Sequence, residues 1–216
     1  MGDTTVDRTV ATTRRREATR QRLLDAAAQV FAEVGLDAAT VEAVCERAGY
    51  TRGAFYSNFD SKEELFLELA GRVARERVAA VRARVGELEH ADTTPSADAF
   101  SIVQEVLDVS NDDRLGVLLM SEIRIHALRN HSLADAYLAQ EAEMVTSVAQ
   151  IIADIVRTRR LALRVPADEA ARLMLMAWEG ASVRAVMAGL DYEQLCRRTS
   201  VEIGRLAQLI IDPPAP

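Results

Sequence analysis

Apolar residues recur along most of this chain at steps of three and four, the spacing of one face of an α-helix. From Arg15 to Val34 the positions Leu23, Leu24, Ala27, Val30, Phe31 and Val34 keep that spacing, and Gly35 stands where a left-handed C-terminal cap is expected. Thr40 is placed to cap a short helix carrying Val41, Val44, Cys45 and Ala48, which Gly49 breaks. Thr51 opens another short helix that ends near Phe59. Ser61-Lys62-Glu63-Glu64 has the serine and the third-on glutamate of a capping box, and launches a long helix to about Glu87. Residues 88–96, with Pro95, read as a loop. Further helices are expected over about 97–110, 113–129, 133–161, 167–189 and 192–211, and the prolines of 212–216 cannot extend the last. Residues 1–13 are aperiodic and read as a disordered tail. No period-two alternation competes. The expected fold is all-α, with three short helices, a long connecting helix and a larger bundle.

Composition agrees. The 216 residues are 49% apolar and 27% charged, with ten Gly and five Pro, the balance of a helix-rich globular chain of one medium or two small domains. No apolar run approaches the roughly 18 residues of a membrane span, and the N-terminus lacks an apolar signal core. Two cysteines, Cys45 and Cys196, are too few for a disulfide framework, so the expectation is a cytoplasmic protein with no membrane partner. The net charge of −7 is unevenly placed. Residues 1–62 sum to zero and residues 63–216 carry the whole excess, while residues 8–22 hold six arginines against Glu17. That excludes nucleic-acid binding through the whole surface and leaves binding through one end.

At that end, two short helices joined through Gly49 have the length and punctuation of a helix-turn-helix. Val44, Cys45, Ala48 and Phe55 would pack the pair onto Leu24 and Phe31, leaving Thr51, Arg52, Gly53, Tyr56 and Ser57 outward. Arg52 can make a bidentate contact with a guanine edge. Gly53 costs about 1 kcal/mol of helix stability relative to Ala, which close approach to a groove would explain.

Residues 40–65, Thr-Val-Glu-Ala-Val-Cys-Glu-Arg-Ala-Gly-Tyr-Thr-Arg-Gly-Ala-Phe-Tyr-Ser-Asn-Phe-Asp-Ser-Lys-Glu-Glu-Leu, resemble the DNA-binding signature of the TetR family of transcriptional regulators. The preceding Ala26-Ala27, Phe31 and Gly35 match too, so the resemblance covers about residues 17–66. Cys45 stands where Ala is usual, Thr51 where Ser is frequent and Asn58 where His is frequent. The resemblance implies a helix-turn-helix DNA-binding domain over 14–60, joined by a long helix to an effector-binding and dimerisation domain over 61–216. It implies Thr40 as a phosphate contact at a helix N-terminus, Thr51, Arg52 and Gly53 as major-groove readers, and Tyr50, Tyr56 and Asn58 as backbone contacts. Lys62, the only lysine, stands where the family places a phosphate-binding lysine. Arg14, Arg15 and Arg16 read either as an arm entering the minor groove or as a solvated run. Tyr56 alone reads equally as a half-buried helix aromatic, and Thr40 and Ser61 would cap helices in any protein.

Beyond residue 60 the bundle could hold a small effector. Met120, Met144, Met174, Met176 and Met187 offer an adaptable lining, Trp178 is the sole tryptophan, and Ile123 and His126 share one side of a helix. Core packing would give the same residues. Ala170, Ala171, Ala177, Gly180, Ala181, Ala185 and Ala188, with a stripe of Leu195, Ile203, Leu206 and Ile210, fit either burial within one chain or the two-fold homodimer interface that the resemblance implies. Enzyme chemistry finds little support. Three histidines make no HxxxH pair, Glu87-Leu-Glu-His90 is a lone Glu-x-x-His, and no phosphate loop, GxSxG or zinc spacing occurs. No cofactor is implied. The expected function is a ligand-responsive regulator, a repressor that binds a near-palindromic double-stranded operator as a dimer and leaves it when an apolar or amphipathic effector binds. The alternative is a bundle enzyme or small-molecule carrier with a vestigial helix-turn-helix.

Overall fold

A computed structural model describes residues 4–90, 100–103 and 114–212. Its helices are α1 (Thr4–Ala38), α2 (Val41–Ala48), α3 (Arg52–Tyr56), α4 (Lys62–His90), α5 (Arg114–Arg129), α6 (His131–Thr158), α7 (Ala167–Met187) and α8 (Tyr192–Ile210). The architecture is all-α, as the periodicity implies. Residues 100–103 are helical within the segment expected to be a helix over 97–110, the rest of which lies outside the described residues. So do residues 91–96 of the expected loop and 213–216 of the tail.

Several features differ from expectation. Helix α4 runs to His90, so helix takes residues 88–90 of the expected loop. Helix α1 begins at Thr4, so helix replaces the disordered tail over 4–13, and residues 1–3 lie outside the described residues. Threonines and valine are poor helix nucleators, but adding turns to an existing helix requires no new nucleus. The break expected at Gly35 is present, with φ 77° and ψ 171°, after which one more turn reaches Ala38. Val34, the last residue of the predicted stripe, is exposed where that break ends the buried face. Finally, a two-residue strand pair joins Ala162–Leu163 to Ile211–Asp212 antiparallel. Two residues are too short to leave a period-two pattern, and Arg164 braces the pair by an ion pair to Asp212 at 2.5 Å.

The chain forms two compact units. The first comprises Met1–Arg72 with Ser121–Ala134, and the second Val73–Met120 with Asp135–Pro216. They divide the chain differently from a single cut after residue 60, because the end of α5 and the start of α6 belong with α1–α3.

The first unit is built on aromatic packing. Phe55, Phe59, Phe66, Leu23, Leu24 and Leu65 are almost wholly buried, and each such side chain contributes about 1.5–3 kcal/mol by leaving water. Phe31 meets Phe66 edge-on at 3.9 Å, and Phe55 lies 5.7 Å from Phe59. The second unit mixes alanines with branched aliphatic residues. Ala170, Ala171, Met174, Ile152, Ile203, Ala207, Ile210 and Ile211 form its core, with Trp178 packed against it. Alanines let α7 and α8 approach closely. At Gly204 even a methyl is excluded, because a Cβ would fall 2.5 Å from the Phe100 ring.

Candidate nucleic-acid interface

Helices α2 and α3 are placed by their ends. Thr40 Oγ1 accepts from the Ala43 N–H at 3.1 Å, and Thr51 Oγ1 accepts from the Ala54 N–H at 3.2 Å. Between them Gly49 adopts φ 71°, ψ 32°, the left-handed conformation that costs other residues strain, and its N–H closes on the Cys45 and Glu46 carbonyls. Val44, Cys45 and Phe55 are buried, as the pattern predicted, which turns α3 outward. Thr51, Arg52, Gly53, Tyr56 and Ser57 are all exposed. Burial, aided by the charge of Glu42, pushes the Cys45 thiol up, so it stays a neutral packing group.

Ser61 Oγ accepts from the Glu64 N–H at 3.1 Å, one half of the expected capping box. The Glu64 carboxylate reaches one residue further back than a capping box requires and accepts from the Asp60 N–H at 2.5 Å.

Several expected contacts have other duties. Asn58 is buried, and its Nδ2 donates to the Ala54 carbonyl at 2.8 Å, so its amide faces inward rather than toward a phosphate. One turn of helix after Ala54, the short side chain falls back onto its own backbone. Arg14, Arg15 and Arg16 lie inside α1 and form no extended arm. Arg14 and Arg15 are exposed, while Arg16 donates to the Ser57 carbonyl at 3.2 Å. Lys62 Nζ donates to the Ala39 carbonyl at 3.0 Å and lies 5.6 Å from the Phe66 ring, so it ties the start of α4 to the chain after α1. Tyr50 is half-buried; hydrogen bonding by Thr19, with the Arg22 cation nearby, holds its phenol below the ordinary range.

Two residues stand out only in three dimensions. Arg20, counted in sequence as one more positive charge, binds the Glu68 carboxylate and the Asn58 carbonyl and lies 4.3 Å over the Phe59 ring. The Glu68 hydrogen bond raises its pKa despite desolvation. Glu42 pairs with Arg52 at 2.6 Å. Neither pairing has a local sequence signal, since the partners are 48 and 10 positions apart.

An exposed three-residue edge, Thr51 to Gly53, set on a helix-turn-helix by two threonine caps, is thus in place. Residues 23–69 match the family model for bacterial regulatory proteins of the tetR family. Residues 23–69 are thus a TetR-family DNA-binding domain, and the chain is a helix-turn-helix transcriptional regulator. It is 24% identical over 191 residues to the HTH-type transcriptional regulator UidR of Escherichia coli strain K12, covering 88% of this chain and 91% of UidR. It is 45% identical over 69 residues to the HTH-type transcriptional repressor Rv1474c of Mycobacterium tuberculosis, covering 32% of this chain and 36% of that one. A solved structure of a Mesorhizobium loti protein assigned to the TetR family shares the fold, with a TM-score of 0.69 at 18% identity, over 91% of this chain and 98% of that chain. These relatives are regulators rather than enzymes.

In this regulator the expected effector residues are divided between the units. Met120, Met144, Met174 and Trp178 belong to the second, where Met174 is buried in the core and the other three are half-buried. Ile123 and His126 belong to the first. They border a recess with Lys62, Glu63, Phe66 and Leu133 that has room for about one water. His126 Nε2 is 3.4 Å from Asp37 Oδ1 at the end of α1. Their position follows from where α5 ends, which helix periodicity does not report. Met176 and Met187 are exposed at 64% and 81%, not inside a lining. Of the small-residue stripe, Ala170, Ala171, Ala181, Ala185, Leu195, Ile203 and Ile210 are already buried within the chain. Among the described residues no helix is long and apolar enough to cross a membrane, and no cluster of potential metal ligands occurs.

Proposed function

We propose that this regulator is a cytoplasmic repressor that occupies a near-palindromic operator as a homodimer and is released by a small apolar or amphipathic effector. The outward face of α3 is the observation that carries the operator reading: Thr51, Arg52, Gly53 and Tyr56 are exposed together while Phe55 between them is buried. Among the described residues a Cβ at Gly53 would meet nothing nearer than Thr51 Oγ1 at 3.7 Å, so none of their contacts demands glycine there and approach from outside accounts for it. Thr51, Arg52 and Gly53 read base edges, Arg52 taking a guanine. Thr40, Tyr50 and Tyr56 set the register on phosphates, and Arg14 and Arg15 add positive charge from the helix. Lys62 supports this surface through Ala39 and adds its charge beside it.

Association uses the last two helices. On α7 the side chains Met176, Gly180, Val183 and Met187 repeat at helical spacing, and the two methionines remain exposed. A two-fold pair sets its reading helices about 34–36 Å apart, one DNA turn. The effector is held by residues of the second domain, among them Met120, Met144 and Trp178. It releases DNA only by binding the DNA-incompetent state more tightly than the competent one.

Mobility shifts of full-length protein on DNA flanking its own gene, over a salt series, test this. Sequence-specific retardation that falls steeply with salt is expected, and Arg52→Ala should lose about 1–3 kcal/mol of preference at one base position per half-site. Equal, weak binding to every sequence, unchanged by Arg52→Ala, would sink the proposal.

A further inference from the structure

Glu42 and Arg52 come from different helices of the first unit and meet on its outward face. Glu42 Oε1 lies 2.6 Å from an Arg52 terminal nitrogen, and both side chains are more than half exposed. The Tyr56 ring lies 5.9 Å from the same guanidinium. A carboxylate on a DNA-binding face is costly, because it repels phosphate and has no proton to offer an acceptor. Guanine presents only acceptors to the major groove, and thymine an acceptor and a methyl. Cytosine N4 and adenine N6 alone donate there. A guanidinium and a carboxylate held in contact therefore make a two-part reader, donating on one side and accepting on the other.

We propose that Glu42 is a specificity-determining residue, which orients Arg52 on its guanine and accepts the amino group of a cytosine or adenine in the adjacent base pair. This rests on Arg52 being a base reader. A carboxylate in the first turn of α2 also suits the helix dipole. That purely local role changes affinity for all sequences by one factor and leaves base preference alone.

The test uses full-length protein to select a consensus from a randomised duplex library. Each base of that consensus is then varied in turn, for wild type, Arg52→Ala, Glu42→Ala and Glu42→Gln. Wild type is expected to prefer C or A over G or T by about tenfold beside the guanine that Arg52→Ala relaxes. Glu42→Ala should reduce that preference to about twofold or less and weaken the guanine preference without abolishing it. Glu42→Gln, with one acceptor and one donor, should move the preference toward adenine. If both Glu42 variants shift every sequence by the same factor, Glu42 is only a helix-end charge and the inference is overturned. If wild type selects no consensus, or Arg52→Ala relaxes none, the base-reading role of α3 fails first and takes the inference with it.

Discussion

The two units of this regulator solve the same packing problem with different materials. The first surrounds a few large rings with polar ties, Arg20 to Glu68, Lys62 to Ala39 and the threonine caps, each fixing one backbone segment against another. The second brings α7 and α8 together on alanines, and Gly204 of α8 leaves room for the Phe100 ring. The contrast shows why one unit carries a recognisable signature and the other does not. A base reader must sit within a fraction of an ångström, so the residues that place it are narrowly specified. A close-packed helix pair asks only for small volume, which many sequences supply.

The strongest way to sharpen that contrast is to remove one core side chain from each unit. Phe55→Ala should lower stability by about 3–5 kcal/mol and abolish specific retardation of DNA. Met174→Ala should cost about 2–5 kcal/mol in denaturant melts but leave the base preference of the remaining folded protein unchanged. Altered preference in Met174→Ala would break the division of labour. Next comes a pair of glycines. Gly204→Ala forces a methyl against Phe100 and should destabilise by about 1–3 kcal/mol. Gly86→Ala, in α4 with no atom of the described residues within 4 Å of the new methyl, should instead stabilise by up to about 1 kcal/mol. Calorimetry that gave the two the same sign would refute the close approach at Gly204. The smallest effect is expected at Lys62. Lys62→Met keeps a chain over Phe66 but loses the bond to the Ala39 carbonyl, worth about 1 kcal/mol. Weaker binding of all DNA alike in a variant that melts normally would show that Lys62 acts on phosphate more than on the fold.

Most of the first unit was legible because its signals are local. Thr40, Gly49, Thr51 and Ser61 each act within four residues of their own position, and the buried Val44, Cys45 and Phe55 follow from helical spacing. What was misread depends on direction. Asn58 follows a motif in which its neighbours face outward, yet its amide turns back to Ala54. Arg16 and Arg20 count as charges in a run, yet both are tied to the segment after α3. In the second unit the methionines were assigned by type, and type does not distinguish Met174 in the core from Met187 in solvent.

The amino-acid sequence by itself determined the helices, the turn at Gly49, the outward edge of α3 and the family that this edge identifies. Each of these depends on backbone preference or on a repeat of three to four residues. Tertiary structure alone decided which charges are neutralised inside the fold, that Ile123 and His126 lie with the reading unit, and that Ala170, Ala171, Ala181, Ala185 and Ala207 are buried within one chain. It also brought Glu42 against Arg52. Those outcomes turn on distances between residues remote in sequence, and no local propensity encodes a distance.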